Sequence, residues 1–244
     1  MKINIKTKII LLVFISGIFS GLGCEPHGLW ILPWFTIVPL WLAVRKNNSW
    51  QDNAIIGLAW GLGYHGLTLH WITGIHPMTW LGIPWLYSLL IALFCWLFIS
   101  LWGASLVVLW CLAMTFFLQN IPRLKNLQIL SKVLMGIALW TGLEALYSLG
   151  PLWWSSLSLT QSPHNLYILQ LGTISGPTTI TALLLGINGL IAESINTYSN
   201  DKKISQLLLS LAVASFCFFL APWLRYLSAP FITRKTYKHW TDSR

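Results

Sequence analysis

Glu144 is the residue of this sequence best placed to do chemistry in an apolar setting. It lies in the stretch GIALWTGLEALYSLGPLWW, one helical turn after Trp140. A carboxylate within a membrane-length apolar run is costly, so it marks either packing or function. Trp140 and Glu144 at i, i+4 share one helix face, and that face is predicted to point into the protein. Two readings follow from the residues alone. Glu144 either fixes packing by bonding to a neighbouring helix, or it forms part of a substrate site.

Three histidines, His65, His70 and His76 in GYHGLTLHWITGIHP, raise the question of a metal. His65 and His70 lie about 140° apart around a helix, and His65 and His76 about 16 Å apart along it. None of the pairs has the i, i+4 spacing of helical metal sites, so polar packing is expected and no metal is assigned. Cys24, Cys95, Cys111 and Cys217 are far apart, with no CxxC spacing, and no cofactor is expected. Acyl transfer needs an activated nucleophile and an oxyanion site. The sequence offers no GxSxG elbow and no Cys with an evident Lys or Glu partner, so no catalytic residue is assigned.

The elements that must position these residues are membrane helices. Of 244 residues, 56% are hydrophobic, 14% aromatic and only 9% charged, whereas a soluble domain carries about 25% charged residues. Apolar stretches are predicted at about 8–23, 28–44, 54–75, 82–118, 133–149, 177–195 and 204–223, long enough to cross a core of about 30 Å. All are expected to be helices, because lipid leaves a spanning backbone no partner but its own helix. The sixteen Trp are expected at the membrane–water interfaces. The predicted fold is an all-α polytopic bundle of about seven spans. Residues 1–223 form the membrane domain, and 224–244 form a short basic tail.

Charge fixes the predicted orientation. Lys2, Lys6 and Lys8 precede the first stretch, Arg45 and Lys46 follow the second, and Arg123, Lys125 and Lys132 follow the fourth. Lys202 and Lys203 follow the sixth. If stretch 82–118 crosses once rather than breaking near Gly103, all ten lie on one side, and the positive-inside bias puts that side in the cytoplasm. The N-terminus is then cytoplasmic and the tail outside. The net charge of +9 serves topology here, so no nucleic-acid partner is expected. A lipidated signal peptide ending at Cys24 is disfavoured, since Gly21 stands where a lipobox wants Leu.

Two further features are architectural. Gly57, Gly61, Gly63 and Gly66 in the third stretch, and Gly172, Gly176, Gly186 and Gly189 around the sixth, have spacings that let helices approach closely. Residues 150–176 are uncharged apart from His164, aromatic, and rich in Ser, Thr, Asn and Gln. They suit the headgroup layer, either framing a lateral opening for a lipid or serving as a connector.

Three blocks carry a family resemblance: GLAWGLGYHGLTLHWITGIHPMTWLGIP, ALWTGLEALYSLGPLWWSSLSLTQ and LQLGTISGPTTITALLLGINGLIAE. Together they resemble the membrane part of bacterial apolipoprotein N-acyltransferases, over roughly residues 17–223. The first looks like that family's glycine-rich span ending in Trp71, before Gly82 and Pro84. The second resembles its Trp-x-x-x-Glu span, with Trp140 and Glu144, followed by Pro151, Trp153 and Gln161. The third is similar to its Gly-to-Asn span, with Gly172, Gly176 and Asn188.

The resemblance implies acyl transfer from a phospholipid to the N-terminal, lipid-modified cysteine of an apolipoprotein, in the bacterial inner membrane. It places the chemistry in a nitrilase-like domain with a Glu–Lys–Cys triad, on the outer side after the seventh span. Where that domain is expected, this sequence reads RYLSAPFITRKTYKHWTDSR, so no triad residue is carried over. Tyr147 stands where the family often has Arg. The expected partners are membrane phospholipid and an apolipoprotein or a separate nitrilase-like chain. Trp71, Trp140, Glu144, Trp153 and Gln161 are the candidate lipid or packing residues. The chain alone is expected to be inactive. The alternative is a non-catalytic membrane module that binds lipid or a partner protein, or a truncated remnant. A small transporter is a weaker reading, since neither internal repeats nor paired broken helices around a charged site are evident.

Overall fold

A computed structural model describes residues 5–120 and 129–201. The seventh stretch, Cys217, the tail, and Lys2, Arg123, Lys125, Lys202 and Lys203 lie outside the described residues. Among those described, every regular element is helical. The principal helices are α1 (Ile5–Gly21), α2 (Val38–Lys46), α3 (Trp50–Thr68), α4 (Trp85–Asn120), α5 (Ile129–Ser148) and α6 (Pro177–Asp201). Among the described residues, three segments are long and apolar enough to cross a membrane: Trp85–Asn120, Ile129–Ser148 and Pro177–Tyr198. The protein is an all-α membrane protein.

One end of the bundle is basic. Lys6 at the start of α1 pairs with Asp52 at the start of α3, 2.6 Å apart, and α2 ends there on Arg45 and Lys46. Ser49 caps α3 by accepting the Asp52 N–H at 3.3 Å, the usual N-terminal role of Ser. Gln119 near the end of α4 donates to the Asn48 carbonyl at 2.6 Å, which brings α4 to the same end. α4 runs unbroken for 36 residues, about 54 Å at 1.5 Å per residue. Gly103 does not interrupt it.

The glycine spacing of the third stretch does the expected work. A Cβ on Gly61 would lie 2.6 Å from the Ala104 Cα, and one on Gly57 would lie 2.9 Å from the Cys111 Sγ, so both seat α3 on α4. A Cβ on Gly63 would lie 2.5 Å from the Phe14 carbonyl oxygen, which seats α3 on α1. Such close backbone approach is how membrane helices gain contact without a hydrophobic driving force.

Tryptophan is used differently from the expectation. Trp34, Trp41, Trp60, Trp110 and Trp140 are fully buried rather than interfacial. Trp41, Trp110, Trp140 and Trp60 contact one another in series, with ring centroids 5.2, 5.5 and 5.8 Å apart. Burial of an indole favours a partner for its N–H, and the bundle supplies one for each of these rings except Trp140. Trp34 donates to Gln161 Oε1 at 3.1 Å, Trp41 to Glu193 Oε1 at 3.0 Å, Trp60 to the Thr36 carbonyl at 3.2 Å and Trp110 to the Gly136 carbonyl at 2.9 Å. Gly136 and Gly189 leave the room that the Trp41 ring fills.

The second apolar stretch is not one helix. Its first half runs through turns, including a tight helical turn at Leu32–Trp34, and α2 has only nine residues, about 14 Å. Pro33 and Pro39 lack the N–H groups that a continuous helix would use. Irregular backbone at membrane depth is tolerated where protein satisfies it, and here side chains do so. Asn188 of α6 accepts the Ile37 and Val38 N–H groups at 3.0 and 3.2 Å through Oδ1, and its Nδ2 donates to the Pro33 carbonyl at 2.9 Å. Gln161 Nε2 donates to the Trp30 carbonyl at 2.9 Å.

Candidate functional site

The segment after α5 folds back onto the bundle and meets Glu144. Ser156 caps the helical turn Leu157–Gln161, and its Oγ donates to Glu144 Oε2 at 3.3 Å. The Leu157 N–H, free because it opens that turn, donates to Glu144 Oε1 at 3.2 Å. Thr181 of α6 stands 3.4 Å from Ser156 Oγ, and Ser158 Oγ stands 3.0 Å from it. Thr181 and Trp140 also bring polar groups to the carboxylate. Glu144 is only 5% exposed, and it holds its place through neutral donors. Among the described residues no cation pairs with it.

Beside this carboxylate is a cavity of about 310 Å³, lined by Glu144, Trp153, Trp154, Ser156, Ser158 and Thr178 among others. It lies at the end of the bundle opposite the basic one, where α5 ends and α6 begins. Aromatic walls and several hydroxyls suit an amphiphile with a polar group to anchor. The segment 150–176 is therefore more than a surface connector, since Leu157, Thr160 and Gln161 are buried in the protein.

The sequence-derived candidates fall into three places. Trp140, Glu144 and Trp153 converge at or beside the cavity. Trp71 is 57% exposed and reaches the rim through Trp154, ring centroids 5.9 Å apart. Gln161 belongs to a separate buried network: its Oε1 accepts from Trp34 Nε1 at 3.1 Å and from Asn165 Nδ2 at 2.9 Å. Tyr147 places its hydroxyl 2.6 Å from Ser105 Oγ and its ring against Trp102 and Trp153.

The three histidines have separate partners. His65 Nδ1 is 2.7 Å from Ser155 Oγ, His70 Nδ1 is 2.8 Å from the Leu67 carbonyl, and His76 Nδ1 is 2.9 Å from Ser88 Oγ. The His65–Ser155 pair is a buried imidazole–hydroxyl contact behind Trp153. Neither residue lines the cavity.

Sequence reasoning named Asn188 of α6 only through the family resemblance and passed over Thr181 and Glu193 on the same helix. Thr181 faces the Glu144 cluster, Asn188 caps the broken second stretch, and Glu193 pairs with Arg45 at 2.6 Å while accepting from Trp41 at 3.0 Å. All three side chains are buried. The signal was present in TITALLLGINGLIAES, where Glu193 is an ionisable residue in an apolar helix just as Glu144 is. Arg45 is accordingly more than a topology charge in a loop: it lies within α2 and its side chain turns inward.

The chain is similar to known proteins over most of its length. The family model for the apolipoprotein N-acyltransferase N-terminal domain matches residues 16–190. An apolipoprotein N-acyltransferase of Nostoc is 43% identical over 215 residues, covering 83% of this chain and 41% of that protein. The Synechocystis enzyme of the same name is 40% identical over 200 residues, covering 76% of this chain and 38% of its own length. That of Thermosynechococcus vestitus is 43% identical over 182 residues, covering 74% and 34%. The chain thus spans about two-fifths or less of the curated relatives it matches. The matched segment includes the glycine-rich α3, the Trp140–Glu144 face and the Asn188 cap, and through it this chain belongs to the apolipoprotein N-acyltransferase N-terminal domain family.

Proposed function

We propose that this chain is the integral membrane part of an apolipoprotein N-acyltransferase-like system in the bacterial inner membrane. In this reading it presents phospholipid and an apolipoprotein to a nitrilase-like domain that performs the acyl transfer. The observation that carries the proposal is Glu144, buried with no cation partner among the described residues and beside a cavity at the non-basic end, within a chain of this family. Trp71, Trp153 and Trp154 line or flank the approach to it, and Trp140 backs it. Gln161 serves by holding the segment that donates to Glu144.

The proposed topology has seven crossings, a cytoplasmic N-terminus and residues 224–244 outside. The basic end formed by Lys6, Arg45 and Lys46 supports it through the positive-inside bias. Membrane-impermeant labelling of an engineered Asp242→Cys from outside is expected to succeed, and protection there overturns the topology.

A chimera tests the function. Residues 16–190 of this chain replace the matched segment of the Nostoc relative, in cells depleted of their own N-acyltransferase. Restored growth is expected, with the unsubstituted chain alone giving none. A chimera that inserts stably yet fails to support growth overturns the reading.

A further inference from the structure

A second and larger cavity opens at the basic end, remote from Glu144. It measures about 720 Å³ and lies between α1, α2 and α3. Its walls are apolar, with Ile9, Val13, Leu42, Ala43, Ile55 and Ile56 prominent. Its mouth is polar. Lys6, Lys46, Asn47 and Asp52 line it, and the Lys6–Asp52 pair at 2.6 Å neutralises one cation of the two. Lys46 is exposed at the end of α2, and among the described residues no carboxylate pairs with it.

The two halves of this cavity call for different chemistry. The size falls within the roughly 300–1,000 Å³ of pockets that enclose a small amphiphile. Apolar walls at membrane depth take an acyl chain. A net positive mouth at the same end as Lys8 and Arg45 takes an anion, because a Lys near a lipid surface attracts acidic headgroups. We propose that this groove is a binding site for one anionic phospholipid of the leaflet at the basic end, its acyl chain between α1 and α2 and its phosphate at Lys46. The site is separate from the Glu144 cavity and does not depend on the acyl-transfer reading.

The test is native mass spectrometry of the full chain released from mixed micelles. These hold phosphatidylglycerol and phosphatidylcholine of identical acyl chains in equal amounts. Phosphatidylglycerol is expected to be retained about fivefold over phosphatidylcholine, the factor that one Lys at a charged surface contributes. Lys46→Gln, at an exposed position, is expected to abolish that preference, with phosphatidylglycerol retention falling to the level of phosphatidylcholine. Ala43→Trp, which fills the groove, is expected to reduce retention of both lipids. Equal retention of the two lipids by the parent chain overturns the proposal. So does a preference that survives Lys46→Gln, and so does phosphatidylglycerol retention undiminished in Ala43→Trp. An unchanged melting temperature for Lys46→Gln shows that the loss is one of binding.

Discussion

Two buried glutamates at opposite ends of the bundle are held in opposite ways. Glu193, 1% exposed, faces Arg45 at 2.6 Å and accepts from Trp41 at 3.0 Å. Glu144 is nearly as buried, yet its partners are a backbone N–H and hydroxyls. The surroundings differ as well. Packed aromatic and glycine surfaces close around Trp41, whereas a cavity adjoins Glu144. A buried charge with a matched countercharge is complete as a structural element. A buried carboxylate with neutral donors and space beside it retains capacity for another group. The comparison assigns Glu193 to architecture and makes Glu144 the candidate for ligand contact.

The largest expected effect comes from breaking the closed pair. Arg45→Met leaves Glu193 buried against an uncharged neighbour, and removing one partner of a buried pair typically costs about 3–5 kcal/mol. Melting of the purified protein in detergent should fall accordingly. Arg45→Met combined with Glu193→Leu removes both charges, and replacing such a pair by apolar groups is about neutral. The double variant should therefore melt close to the parent chain. If it melts as low as the single variant, the pair contributes through shape and not through charge.

Asn188 stands between the two glutamates on α6 and offers an intermediate effect. Asn188→Leu deprives the Ile37 and Val38 N–H groups and the Pro33 carbonyl of their partner. Unsatisfied buried groups cost about 1–3 kcal/mol each, and partial relaxation into turns should hold the total to about 2–3 kcal/mol. The measurement is again detergent melting. A variant with parental stability would show that the broken second stretch finds other donors and acceptors.

This middle region also shows where the sequence was legible. Composition and run length predicted helices, and the Gly57–Gly61 spacing predicted a close helix approach, whose partner is α4. The i, i+4 relation of Trp140 and Glu144 predicted an inward face. These are local signals, readable from one helix at a time. The broken stretch was not legible, because its apolar residues look alike whether they form helix or turns. What permits the break is Asn188, 151 residues from Ile37 in sequence. The buried Trp series was hidden for the same reason, since its indole partners come from elsewhere in the chain. At the candidate site, Glu144 was identified correctly as inward-facing, but its donors Ser156 and Leu157 required knowing that 150–161 folds back.

The smallest expected change in stability comes at Glu144, and it is the most informative. Glu144→Gln keeps an oxygen for the Leu157 N–H, and its NH2 donates to the Ser156 hydroxyl, which turns to accept; hydrogen bonds between groups in membrane proteins average about 0.6 kcal/mol. Melting should therefore shift little. Glu144→Leu strands both donors and should lower stability by about 1–2 kcal/mol, still less than Arg45→Met because no opposite charge is abandoned. If Glu144 only packs, growth supported by the Nostoc chimera should follow this stability order, with Gln near the parent and Leu modestly reduced. If the carboxylate contacts substrate, Glu144→Gln should melt like the parent chain yet lose growth support, because only the charge has gone. A Gln variant that keeps both properties, beside a Leu variant that loses only stability, would place Glu144 with Glu193 as architecture and remove the contrast between the two ends.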